Sequence, residues 1–401
     1  MRTIWSFHSA GELIFGAGAV ERLGRISADA DLGRVLIITD APLAEAGVLD
    51  QVQAPLRKAG VTVDVFEGGQ PEPSLELALQ CLAAVDRHKP DAILGLGGGS
   101  NMDLAKITAV CHAHGGSPAD YVGDCQVPGE ITPLICVPTT AGTGSEVTAA
   151  SVLTDTANQI KVGVLSNYMR PRWAVVDPRL TLTCPAKVTA DSGIDALTHA
   201  IEAYTAVDNE HFPLPEGERT VYQGRHPLAD SLAEKAISLV GQHLASAVAE
   251  PDNLPAREGM ALAATLAGLA FSNVGVALVH AMEYPVGGAV HCSHGQGNGL
   301  LLPYVMRYNL PPRQRQFAAI ARLLGHPTDG MSEPQAAEAS IEAVEQLRAK
   351  IGIPARLRDI GVSEDQLPGF AEKACGIKRI LRVNPREVTP QAVEAIFRAA
   401  W

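Results

Sequence analysis

DAILGLGGGSNMDLAKITAVCHAH, residues 91–114, decides how this chain is built. Its uninterrupted apolar start reads as a buried strand. That strand enters a glycine-rich turn, and NMDLAKITAVCHAH continues with helical spacing. The same plan surrounds it. RVLIITD (34–40) is a buried-strand run followed by the helical APLAEAGVLDQVQAPLRKAG. VTVDVFEG (61–68) is a strand followed by the helical SLELALQCLAAVDRHK, and LICVPTTAGTGS (134–145) is another strand ending in a polar turn. Strand-helix alternation of this kind predicts a parallel, doubly wound α/β sheet.

From about Pro185 the strand-like runs stop. Ala-, Leu- and Ile-rich periodicity predicts helices over 189–205, 226–248, 255–281, 313–325, 333–351 and 389–400. The boundary is placed in DPRLTLTCPAK (177–187), giving an α/β domain over 1–184 and an all-helical domain over 185–401. Within the second, DNEHFPLPEGERTVYQGRHP (208–227) lacks periodicity and reads as an inserted surface loop.

Composition bounds the rest. With 401 residues, 46% of them hydrophobic and 19% charged, the chain can bury more than one ordinary core. A net charge of −12 with scattered basic residues argues against a nucleic-acid partner. The seven cysteines are odd in number and form no CxxC pair, which predicts reduced thiols and a cytoplasmic protein. MRTIWSFHSAGELIFGAG has no basic region followed by an apolar run, so no secretory signal is read there. No window reaches the ~18 uninterrupted apolar residues of a membrane span, and ALAATLAGLAFSNVGVALVHAM (261–282) reads as a buried core helix.

The glycine turn admits two readings. Gly97, Gly98 and Gly99 let a backbone approach a ligand, and exposed N–H groups at a helix start favour anions. An ordinary tight strand-to-helix turn, with Ser100 and Asp103 forming a capping box, satisfies the same residues. The stretch departs from the dinucleotide fingerprint, since Ser100 stands at its third glycine. PTTAGTGSEVT (138–148) supplies a second such loop, and loops at the C-terminal ends of parallel strands are where an open sheet binds its ligand. Asp40, ending RVLIITD, either accepts ribose hydroxyls or caps the following helix.

Metal-ligating residue types gather in the second half. In TADSGIDALTHAIEAY (189–204), Thr189 is positioned to cap a helix on which Asp191, Asp195 and His199 recur every four residues. Such an aspartate and imidazole on one turn either chelate a divalent ion or satisfy each other in a buried polar spot. HAMEYPVGGAVHCSHG (280–295) adds His280, His291 and His294 around a Pro-Val-Gly-Gly elbow. His280 is read at the end of the long apolar helix, where an uncompensated imidazole is costly to bury.

GGGSNMDLAK (97–106), PTTAGTGSEVT (138–148), DSGIDALTHAIEAY (191–204) and HAMEYPVGGAVHCSHGQGNGLLLPYVMRYN (280–309) together resemble the signatures of the iron-containing, group III alcohol dehydrogenases. The resemblance runs from FGAGAVERLG (15–24) to TPQAVEAIFRAAW (389–401). It implies a dinucleotide-binding α/β domain, an all-α domain, and an active-site cleft between them. It implies metal ligands at Asp195, His199, His280 and His294, leaving His291 outside the ligand set. Cofactor contacts are implied at Gly97, Gly98, Gly99, Ser100, Asp103, Thr139, Thr140, Thr143 and Lys161, with Asp40 biasing the choice to NAD over NADP.

The implied reaction is hydride transfer between NAD(H) and a small primary alcohol or aldehyde, assisted by one divalent metal. Fe2+ is expected, and Zn2+ or Mn2+ would suit the same ligands. Tyr284 and His291 are the residues assigned to proton transfer. The chain departs from the family pattern HxxxHP in carrying Tyr284, in the insert 208–227, and in Ala150, where some relatives place a polar contact. A reductase of a small anionic aldehyde or keto acid (maleylacetate, semialdehyde or phosphonoaldehyde type) is the second reading, with Arg219 and Arg225 as its charge. A dehydroquinate-synthase-like lyase is a third, and it lacks the expected basic cluster. No membrane partner is implied, and a homo-oligomer, dimer or larger, is expected.

Overall fold

The computed structural model describes residues 4–158 and 160–401. They cluster into two compact units. One comprises His8–Cys184 with Arg219–Val221, and the other comprises Pro185–Glu218 and Tyr222–Trp401 with the N-terminal segment through Phe7.

The first unit contains β1 (Glu12–Phe15), α1 (Leu23–Asp29), β2 (Arg34–Ile38), α2 (Ala41–Glu45), α3 (Val48–Lys58), β3 (Thr62–Phe66) and α4 (Leu75–His88). It continues with β4 (Ala92–Gly97), α5 (Gly99–His114), β5 (Gly123–Asp124), β6 (Leu134–Pro138), β7 (Ala150–Asp155), β8 (Ile160–Leu165) and β9 (Trp173–Val176). Six strands form a parallel sheet in the order β1-β9-β6-β4-β2-β3. Its central strands are buried on both faces, as helices on both sides require. Strand parity divides the core. Leu36, Ile38, Ile93 and Cys136 enter one cluster with residues of α4 and α5. Val35, Ile37, Leu94, Leu96 and Val137 enter the other, with residues of α1 and α3.

The chain runs from β2 outward to β3, then crosses to β4 on the other side of β2. Strand order therefore reverses between β2 and β4, and the crevice beyond their carboxyl ends is where an open α/β sheet takes a ligand. Periodicity does not reveal β1, β9 or the β7–β8 hairpin, which pairs antiparallel and carries β5 on its edge. These strands are short or partly exposed, so their apolar signal is broken.

The second unit is helical: α6 (Ala186–Thr205), α7 (Pro227–Ala249), α8 (Leu254–Val274), α9 (Leu278–Val290), α10 (His294–Asn309), α11 (Gln314–Leu323), α12 (Glu333–Lys350), α13 (Leu367–Gly376), α14 (Lys378–Leu381) and α15 (Pro390–Ala400). Three expectations need correction. The helix expected over 255–281 is two helices, α8 and α9, bent by 105°. Gly275 ends α8 with a φ of 119°, a conformation open to glycine and strained for other residues. Thr189 does not cap α6. The helix starts at Ala186, and the Thr189 hydroxyl donates to the Pro185 carbonyl from inside the first turn. The insert 208–227 is not wholly superficial, because Asn209, Phe212, Val221 and Tyr222 are buried.

Among the described residues no single helix is long and apolar enough to cross a membrane. The α8–α9 pair meets that test only jointly, and most of its residues are buried inside the unit.

His226 caps α7 with an imidazole. Its Nδ1 accepts from the Ala229 N–H, and its ring stacks on Trp5 at 4.3 Å with 8° between planes. Burial pushes this imidazole down from 6.5 to about 4. The folded state therefore takes up the proton less readily than the unfolded chain. The stability from His226 is complete above pH 6.5 and is lost as pH falls toward 4. Calorimetric melting should show the midpoint falling through that window. His226→Asn, which keeps a capping acceptor and removes the titrating ring, should flatten the fall. A profile parallel to wild type would remove His226 as its cause.

Candidate metal centre and cofactor turn

Asp195 lies in the middle of α6, 2% exposed, with His199 one turn later. His199 places Nδ1 3.8 Å from Asp195 Oδ2, and its ring stacks between Phe271 (4.1 Å) and His280 (4.7 Å). His280 is in the first turn of α9, not at the end of a long helix. The 105° break swings it toward α6, and its Nε2 stands 4.0 Å from Asp195 Oδ1. His294 opens α10, with Ser293 as N-cap, and its Nε2 is also 4.0 Å from Asp195 Oδ1. The donor atoms of Asp195, His280 and His294 all fall within 4.8 Å of one another. His199 adjoins this set of three.

The arrangement fits a divalent cation. Two donors at metal distances of about 2.0–2.2 Å lie at most about 4.4 Å apart, and the two 4.0 Å separations satisfy that limit. The buried His280 Nε2 has no hydrogen-bond partner among the described residues. Burial alone would raise the Asp195 carboxyl. The imidazoles of His199, His294 and His280 and the Asn298 amide outweigh it and hold the group below 3.8. An ionised carboxylate with imidazoles aimed at it, two of the three donors being buried, suits a divalent cation by its chemistry.

Three residues outside the expected site organise these donors. Glu202 accepts from His280 Nδ1 at 2.6 Å, and also from the N–H groups of Ala277 (2.8 Å) and Val279 (2.6 Å) at the start of α9. Glu283 accepts from His294 Nδ1 at 2.5 Å. Asn298 donates from Nδ2 to Asp195 Oδ1 at 2.7 Å and to His294 Nε2 at 3.1 Å. Each stands three, four or seven positions from a donor, so helical spacing is the sequence signal that points to them. Asp191, on the same stripe, binds Lys187 and the Ser293 hydroxyl and so anchors the start of α10.

The Pro-Val-Gly-Gly segment is not an elbow. Pro285 lies inside α9, and the chain turns at His291, which ends the helix in the left-handed region at φ 53°. His291 is exposed and stands outside the donor cluster. Tyr284 is half-buried, its ring 6.1 Å from that of His294.

In the first unit, the glycine turn closes against the threonine loop. Gly97 has φ 140°, and Gly98 is the N-cap of α5. A Cβ on Gly99 would meet the Thr143 side chain at 2.7 Å. The Thr139 N–H donates to the Gly97 carbonyl, and Thr140 lies over Gly98. The expected capping box does not form, because α5 begins before Ser100. Ser100 Oγ accepts from the Glu72 N–H. Asp103 sits behind the turn, accepting from the Ser145 hydroxyl and the Val152 N–H. Lys106, fully buried, donates to Ser145, Thr148 and the Ala150 carbonyl at 2.9 Å each and clamps the same loop.

Asp40 caps α2 through Leu43 N–H and accepts from Asn101 Nδ2 at 2.7 Å, which ties the ends of β2 and β4 together across the switch point. Lys161, on β8, pairs with Glu72 at 2.7 Å. The turn presents glycine backbone at the start of a 16-residue helix, where unpartnered N–H groups favour an anion, so its chemistry suits a pyrophosphate.

Close helix packing sets the metal donors. A Cβ on Gly295 would lie 2.0 Å from the Asp191 carbonyl and 3.2 Å from Asp195 Cβ. Gly295→Ala should therefore lift α10 from α6, lowering stability by about 1–3 kcal/mol and weakening metal uptake. Gly288→Ala on α9 meets nothing within 4 Å and should be neutral or stabilising by up to about 1 kcal/mol. Melting and metal content of the two variants check this, and equal behaviour would refute it.

Comparison with known proteins agrees with this geometry. Residues 10–178 match the model of the iron-containing alcohol dehydrogenases, and 218–401 match the C-terminal model of the same family. Long-chain-alcohol dehydrogenase 1 of Geobacillus thermodenitrificans is 40% identical over 96% of this chain and 94% of its own. The 1,3-propanediol dehydrogenase of Citrobacter freundii is 38% identical over 96% of each. A solved 1,3-propanediol oxidoreductase superposes with a TM-score of 0.93 at 37% identity, covering 99% of this chain and 100% of that one. The chain belongs to the iron-containing alcohol dehydrogenase family and is an NAD-dependent, metal-dependent oxidoreductase of alcohols and aldehydes.

Proposed function

We propose that this enzyme interconverts small primary alcohols and their aldehydes, using NAD in preference to NADP and an Fe2+ ion held by Asp195, His199, His280 and His294. The observation that carries this reading is the convergence of Asp195, His280 and His294 with their donor atoms facing one another. His199, flanking His280 and facing Asp195, is the fourth donor we assign. Relatives named for a long-chain alcohol and for 1,3-propanediol support a primary alcohol as substrate.

When bound, the metal supplies Lewis acidity toward the substrate oxygen and the nicotinamide supplies the two-electron acceptor. The chain's own residues supply placement. Glu202 and Glu283 keep the Nδ1 protons of His280 and His294 on the side away from Asp195, leaving each Nε2 lone pair for coordination. Gly97, Gly98, Gly99 and Ser100 offer amides to the pyrophosphate, with Thr139, Thr140, Thr143 and Lys161 further along the cofactor. Asp40 is assigned to the ribose hydroxyls, where its charge repels a 2′-phosphate. Tyr284 is assigned to contact with the substrate and to proton exchange at its hydroxyl, and the exposed His291 to the outward path. The anionic-substrate reading is weakened by Arg225, whose guanidinium is already held by Asp230 at 2.6 Å and Asp208 at 3.2 Å.

A substrate panel on Fe2+-loaded enzyme, run in both directions with NAD and NADP, tests the reading. NADH formation from small primary alcohols, abolished by metal removal, is expected. Fastest turnover of aldehydes bearing a carboxylate or phosphonate would instead favour the anionic class. His280→Ala should lose metal and activity together, whereas His291→Ala should retain its metal. Equal metal loss in both would overturn the ligand assignment. Asp40→Ser should raise the NADP-to-NAD ratio of kcat/KM by tenfold or more, a factor of ten being about 1.4 kcal/mol. An unchanged ratio would leave Asp40 as a helix cap alone.

A further inference from the structure

Glu283 is the least expected charge in the helical unit. It is 0% exposed, inside α9, between an apolar methionine and Tyr284. An ionised carboxylate taken out of water is strongly unfavourable unless it is paired and hydrogen-bonded. It accepts a hydrogen bond from His294 Nδ1 at 2.5 Å, and close packing holds it there: a Cβ on Gly297 would reach Glu283 Cγ at 2.8 Å.

Proton positions at His294 follow from its neighbours. A carboxylate only accepts, so the Asn298 group 2.7 Å from Asp195 Oδ1 must be its amide nitrogen. That same nitrogen donates to His294 Nε2, which must then carry a lone pair. His294 is therefore the neutral tautomer, with its proton on Nδ1 and directed at Glu283. Asp195, Glu202 and Glu283, respectively 2%, 4% and 0% exposed, thus converge as three carboxylates around imidazoles. His280 has a matching partner in Glu202, but His294 is the more exposed ring, with 31% of its side chain accessible against 3% for His280. A partly exposed ligand depends most on a tether to hold its rotamer.

Resting on the reading of Asp195, His280 and His294 as metal donors, we propose that Glu283 is a positioning residue for the metal. It orients His294 and fixes its tautomer, and its buried charge strengthens cation binding. The two relays run helix to helix: Glu202 on α6 holds His280 on α9, and Glu283 on α9 holds His294 on α10. Outer carboxylates of this kind raise ligand basicity and are worth roughly 10–100-fold in metal affinity. Glu202 also carries the start of α9, so its removal would disturb the fold, and Glu283 is the cleaner test.

Zn2+ dissociation constants, measured by chelator competition on full-length metal-free wild type, Glu283→Gln, Glu283→Ala and His280→Ala, test the proposal. Melting of each metal-free protein runs in parallel. Glu283→Ala should weaken Zn2+ binding by roughly 10–100-fold. Glu283→Gln, which keeps the size and an acceptor but no charge, should weaken it less without lowering the metal-free midpoint, whereas Glu283→Ala also opens a buried cavity and should lower that midpoint. A loss under about threefold in both variants overturns the assignment. So does a fall in the metal-free midpoint with affinity unchanged, which is the signature of a packing role. If His280→Ala abolishes binding while the Glu283 variants match wild type, only this proposal fails. If wild type binds no Zn2+, the metal reading beneath it fails as well.

Discussion

Glu202 accepts hydrogen bonds from Ala277 N–H, Val279 N–H and His280 Nδ1, and the donor cluster depends on this one carboxylate. The first N–H groups of any helix lack partners inside it. α9 starts abruptly after a 105° bend, in a buried setting where water cannot satisfy them. A side chain from α6 does so instead, and the same oxygen that accepts from Ala277 also orients the imidazole beside it. Local satisfaction of the backbone and alignment of a metal donor are thus one interaction. Small residues complete the arrangement, since Gly295 and Gly299 bring α10 against Asp191 and Ile194 of α6 closely enough for His294 and Asn298 to reach Asp195.

The α/β unit organises its glycine turn differently. Its glycine turn, Gly97 to Gly99, carries no side-chain charge. Charge is stored behind it, in Asp103 and Lys106, which tie α5 to the loop carrying Thr143 and Ser145. Burial pushes the Lys106 ammonium down and the Asp103 carboxyl up, and each is held by hydrogen bonds to the same loop. Two segments far apart in sequence are thereby tied to one another, and the backbone at the start of α5 carries no competing side-chain charge. Asn101 extends the link to Asp40 at the end of β2.

Much of this is legible in the residue order. Strands β2, β4 and β6 fall within a few residues of their expected positions because buried parallel strands are short unbroken apolar runs, and the partly exposed β3 because its apolar residues alternate with polar ones. Asp195, His199, His280 and His294 stand out because side chains that bind a metal are rare on otherwise apolar helices. The departures have a common cause, which is that local composition does not show where a helix begins or what a polar group meets. FSNVGVALVH is apolar almost throughout, so its hydropathy hides the break at Gly275. Ser100 and Thr189 have capping side chains, yet both helices begin upstream of them, and the hydroxyls serve other partners. Arg225 reads as free charge until Asp208 and Asp230 are seen to hold it.

What the amino-acid order determined alone was the pair of periodicities, the glycine and threonine turns, and the presence of metal-ligating residue types on the helices of the second half. Each is a local property, carried by spacing along one strand or helix. What only the tertiary structure decided was which donors meet and how they are oriented. Asp195, His280 and His294 come from three helices, and the proton positions on the two histidines are set by Glu202 and Glu283 from neighbouring helices and by Asn298 one turn along α10. Those partners are ordinary polar residues at helical spacing, and spacing alone does not distinguish a carboxylate facing solvent from one buried against an imidazole. The distinction rests on burial, where an unpaired charge is untenable, and burial exists only once the helices have packed.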